Sequence, residues 1–105
     1  MRSGWMLKEI KDVGDLIDMK IVNFIEYMEH ISFSEVISSL KMLEMEQGRI
    51  VLLKEAIYEG MENLVDDPVE HNRLSREFIQ TYVAEQKIQD RIDIAKDYAR
   101  RKGVL

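Results

Sequence analysis

Apolar residues recur at spacings of three and four along nearly the whole chain, and only two places carry the chemistry that stops a helix and starts another. That pattern constrains the fold more than any other feature, because a 3.6-residue period is compatible with helix and not with strand. Met6, Ile10, Val13, Ile17, Ile21, Phe24, Met28 and Ile31 form the first such series. They predict an amphipathic helix over residues 5–30, with Gly14 weakening it modestly.

The first stop lies after His30. Ser32 is followed three residues later by Glu35, a capping box in which the hydroxyl accepts from a backbone N–H and the carboxylate reaches back. Ile31 and Val36 flank it as a hydrophobic staple. A second helix follows over 33–64, with a seam of Val36, Leu40, Leu43, Ile50, Ile57, Met61 and Leu64. The second stop is Asp67-Pro68-Val69-Glu70. It sets a capping aspartate before a proline at the first helical position, where no hydrogen-bond donor is lost, and Glu70 completes a capping box. The third helix covers 68–102, with Gly103 as its C-cap. Its seam is Leu74, Phe78, Thr81, Glu85, Ile88, Ile92, Ala95 and Ala99.

Connections this short make consecutive helices antiparallel neighbours. The expected fold is all-α: an antiparallel up-down-up three-helix bundle in a single domain, residues 1–105. Helices of about 30 residues are about 45 Å long. Three of them make a thin rod with little core per residue, which favours packing into a larger helical bundle by oligomerisation.

Composition narrows the function classes. The chain has no cysteine, so disulfides, zinc–thiolate sites and thiol chemistry are excluded. No stretch approaches the roughly 20 apolar residues of a spanning helix. Charged residues soon follow the N-terminus, which argues against a secretory signal. These features predict a cytoplasmic protein with no membrane partner. A net charge of −5 argues against nucleic-acid binding. The basic cluster Arg100-Arg101-Lys102 complements the dipole of its own helix. The five glycines are isolated, so no phosphate loop exists, and no cofactor is expected. Glu26/Glu29 and Glu59/Glu62 are acidic pairs of a kind that can hold magnesium, but they project to the solvated side.

Two features remain. Met42, Met45 and Leu52 on the second helix, and Val83 and Ile94 on the third, fall away from the main seams. They predict a second contact set for another copy of the chain or another helical protein, with methionines suited to an adaptable contact. Conversely, Glu46, Gln47, Lys54, Thr81 and Glu85 are polar residues inside apolar sectors. Folding the chain back at Asp66-Asp67 sets Glu46 and Gln47 near Glu85, and Lys54 near Phe78 to Thr81. Such a buried polar cluster fixes register at some cost in stability. The alternative is a carboxylate metal site at Glu46 and Glu85. Inward-facing glutamates of that kind normally come with Glu-x-x-His pairs, which this sequence lacks. The function expected is therefore non-enzymatic, self-associating helix-face packing, with the metal-binding bundle as the alternative.

Overall fold

The computed structural model describes residues 12–103, which form four helices: α1 (Val13–Asp18), α2 (Ile21–His30), α3 (Phe33–Asn63) and α4 (Pro68–Gly103). The two punctuation sites work as their chemistry requires. The Ser32 side chain accepts from the Glu35 backbone N–H while the Glu35 carboxylate accepts from the Ser32 N–H, so the capping box is complete. At the second site the Glu70 N–H donates to Asp67 Oδ1 at 3.2 Å. The Glu70 carboxylate, however, accepts from Arg73. A cation one turn ahead competes better for it than a neutral N–H does.

The helix expected over 5–30 is corrected by the described residues. Met19 and Lys20 are both extended, with ψ of 140° and 148°, and they separate α1 from α2. No glycine or proline stands there. The cause lies on α4: the Arg91 guanidinium donates to the carbonyls of Leu16 at 2.9 Å and Met19 at 2.5 Å. Those carbonyls face out of a terminated helix, and a fixed cation takes them. α1 also has its own start signal, a capping box between Asp12 and Asp15. The part of the expected helix before Asp12, including Trp5, Met6 and Ile10, lies outside the described residues.

α3 and α4 make the dominant contact and run antiparallel. The pairs Gln47–Gln89, Lys54–Glu85 and Tyr58–Phe78 follow one another in opposite order on the two helices. Close approach is helped at Gly60, where an added Cβ would sit 3.3 Å from a methyl of Leu74, and at Gly103, where it would sit 2.9 Å from the Phe33 ring. Gly103 is thus the last residue of α4 without positive φ, and a close-contact position rather than a left-handed cap.

α1 and α2 lie along the C-terminal half of α4 only. Leu16 is at the level of Arg91, Tyr98 donates to Glu29, and Lys102 reaches Met28, Glu29 and Ile31. The molecule therefore has two parts. In a base, α1, α2, the first half of α3 and the second half of α4 enclose Leu16, Phe24, Met28, Val36, Leu43, Ile50, Ile88, Ile92 and Ala95. Beyond it, Val51 to Ala84 forms an arm of two antiparallel helical segments. At 36 residues α4 runs the length of both parts, and the molecule measures 57 × 30 × 19 Å.

Candidate functional site

The polar residues of the seam are accounted for one by one. Lys54 Nζ donates to Glu85 Oε2 at 2.7 Å, with about a quarter of the lysine side chain and a fifth of the glutamate exposed. Gln47 donates to Gln89 at 2.6 Å, and Gln89 in turn donates to Asp93. Glu46 is held on its own helix by Arg49. Thr81 is buried with its hydroxyl donating to the Phe78 carbonyl, so it needs no partner across the seam. The pairing register is displaced by about one turn from the one expected: Gln47 meets Gln89 and Lys54 meets Glu85. Each candidate metal ligand, Glu46 and Glu85, is thus engaged by a cation. Among the described residues no group of three or more His, Asp or Glu side chains is placed to hold a metal ion.

Two cations with no role in the expected core organise it. Arg91 is only 5% exposed, and burial lowers its guanidinium pKa from the ordinary value, opposed by Asp90 and Asp18. Its guanidinium also lies 5.9 Å from the centre of the Phe24 ring. Lys102 donates to the backbone carbonyls of Met28, Glu29 and Ile31, closing the C-terminus of α2. A ring nitrogen of His30 lies 2.7 Å from the Glu26 carbonyl and adds to that closure. Arg91 and Lys102 are eleven residues apart, close to three full turns, so one face of α4 caps both short helices. The signal that could have found Arg91 is its position three residues after Ile88 and four before Ala95, on the buried face. In the same base, burial raises the Tyr27 pKa, with Glu35 adding to the rise and a hydrogen bond from buried Ser39 opposing it.

The off-seam apolar residues divide into two groups. Met45, Leu52 and Val83 each stand two residues before a side chain that faces the partner helix, respectively Gln47, Lys54 and Glu85. Two residues are about 200° of helix, so all three point away from the α3–α4 contact. Met45 and Leu52 are 77% and 68% exposed on one flank, and Val83 is half-exposed on the opposite one. Met42 and Ile94 pack partly against the core instead. Met42 nevertheless borders the same hollow as Met45.

The arm is where apolar exposure concentrates. Eight of the twelve large apolar side chains exposed among the described residues lie between Val51 and Ala84, about a third of that chain. At the root of the arm are two open hollows. One, of about 410 Å³, lies where α1 meets α3 and α4, between Val13, Ile17, Ile50, Ala84 and Ile88. The other, of about 480 Å³, lies between Val13, Met42 and Met45. Asp12 borders both.

Comparison with protein-family models, with curated proteins and with solved structures finds no match. No helix among the described residues is long and apolar enough to cross a membrane.

Proposed function

We propose that the protein is a non-enzymatic helical assembly module that associates with a second copy of itself through helix faces. Its building block is the up-down-up arrangement with α1 and α2 counted as one bent first helix. The observation that carries this reading is the flank of α3 turned away from α4. Met45, Gly48 and Leu52 follow at helical spacing there, Met45 and Leu52 are largely exposed, and nothing stands within 4 Å of where a Cβ on Gly48 would be. A strip with a small residue between two flexible or branched apolar ones lets a second helix approach closely and fill the gap. Two such flanks related by a two-fold axis bury the same residues from both copies.

The reading is supported further by what the polar residues do. Lys54, Glu85, Gln47 and Gln89 satisfy each other, as expected of groups that set register rather than bind a ligand. Light scattering over a concentration series tests the proposal. The expected mass rises above the 12.4 kDa of one chain through the micromolar range, and Leu52→Asp returns it to that value. A mass fixed at one chain at high micromolar concentration would overturn it.

A further inference from the structure

We infer that the second copy lies antiparallel on α3, with Leu52 of each copy filling the gap over Gly48 of the other and Lys41 of each facing Glu59 of the other. This pairing rests on the self-association proposed above and adds a direction and a register to it.

The strip that carries Met45, Gly48 and Leu52 continues both ways along α3 at alternating spacings of three and four. Toward the start of the helix come Lys41, Ser38 and Ser34, and toward its end come Glu55, Glu59 and Glu62. Such a series drifts by only about 20° per heptad, so these residues stay on one face. All six are exposed, and among the described residues none of the four charged ones is in an ion pair. The strip is therefore cationic and neutral on one side of its apolar centre and acidic on the other.

Direction follows from that asymmetry. A parallel pair would set Lys41 against Lys41, and Glu55, Glu59 and Glu62 each against itself, with like charge at every charged level. Reversing one helix sets the acidic end of each strip against the lysine and serines of the other. It also opposes the two helix dipoles.

Register follows from volume. Gly48 is the one position of the strip without a side chain, and the space above it is open. Placing Leu52 over it centres the antiparallel pair at the level of Ile50. Lys41 stands nine residues before that level and Glu59 nine after it, so both lie about 14 Å from the axis and meet across it. In the same register Met45 meets the aliphatic stem of Glu55, and Ser38 meets Glu62. The segment of α3 in the arm then lies along the segment of the second copy's α3 in the base, and gains a neighbour there.

Two measurements test this. Lys41→Glu and Glu59→Lys, each alone, should weaken the dimer about tenfold in sedimentation equilibrium, because two exposed pairs turn from attraction to repulsion. Lys41→Glu/Glu59→Lys in one chain should return the dissociation constant to within about threefold of the parent, because the pairs re-form with their signs exchanged. The second measurement uses the absence of cysteine. Oxidised Lys41→Cys/Glu59→Cys should run as a dimer on a non-reducing gel. Lys41→Cys alone should not, since the two copies of that position lie about 27 Å apart and a disulfide spans Cα atoms about 4–7 Å apart. A parent chain that stays at the mass of one chain overturns the pairing together with the self-association it rests on. A dimer that Leu52→Asp dissolves, but that the single reversals do not weaken or the double reversal does not restore, overturns the pairing alone. So does a dimer that cross-links through Lys41→Cys by itself.

Discussion

The base and the arm are made largely from the same two helices, yet they bury their apolar faces to different extents. In the base a third layer, α1 and α2, covers the α3–α4 pair, and Leu16, Phe24, Met28, Val36, Leu43 and Ile88 lose all contact with solvent. In the arm, among the described residues, two helical segments have only each other. None of its described apolar side chains is fully buried, and the most deeply buried, Ile57, keeps 9% of its surface exposed. Two helices in contact each shield one stripe, whereas a third closes the remaining groove. The difference teaches that the arm's surface is set by missing neighbours, not by a change in sequence pattern.

The comparison can be broken most directly in the base. Phe24→Ala removes a fully buried ring that also meets Arg91, and should cost about 3–5 kcal/mol in urea denaturation. A loss under about 1 kcal/mol would mean the base is less tightly packed than described. Next comes Arg91→Met, which keeps the length of the side chain but leaves the Leu16 and Met19 carbonyls without their donor. Leaving buried acceptors unpaired predicts a loss of about 2–3 kcal/mol.

At the junction of the two parts, Lys54→Met strands the partly buried Glu85 and should cost about 1–2 kcal/mol, since part of the charge still reaches water. The double variant Lys54→Met/Glu85→Leu should recover most of that loss, and a thermodynamic cycle over the four proteins measures the coupling. The smallest effect belongs to the arm. Ile79→Ala, at a 60% exposed site, should change stability by no more than about 0.5 kcal/mol in dilute solution. Hydrogen exchange sharpens the contrast without any substitution: amides of the arm should exchange faster than those of α3 and α4 in the base.

What could be read from the residues follows the range of the interactions. The ends at Ser32 and Asp67 are legible because a cap is made by residues three positions apart. The bend at Met19–Lys20 is not, because its cause, Arg91, stands 75 residues from the Leu16 carbonyl it holds. Lys102 reads as a cation suited to the end of its own helix, and it serves α2 instead. The polar seam residues are conspicuous in the sequence, since polar groups inside an apolar stripe break its period. Which of them pair is not, because a displacement of one turn exchanges every partner while leaving the pattern intact. Met42, Met45, Leu52, Val83 and Ile94 are identifiable as off-seam positions, but only the direction of each helix's neighbours separates them into two flanks and a core edge.

By itself, then, the sequence determined that the chain is helical, where α3 begins, where α4 begins, and which residues line their seams. Period and capping act within a few residues and survive any arrangement of the rest. Only the tertiary structure decided that the first helical stretch bends, that Lys54 takes Glu85, and that, among the described residues, the base is covered while the arm is left as a pair. Those outcomes depend on groups far apart in the chain arriving at one level, which spacing alone does not encode.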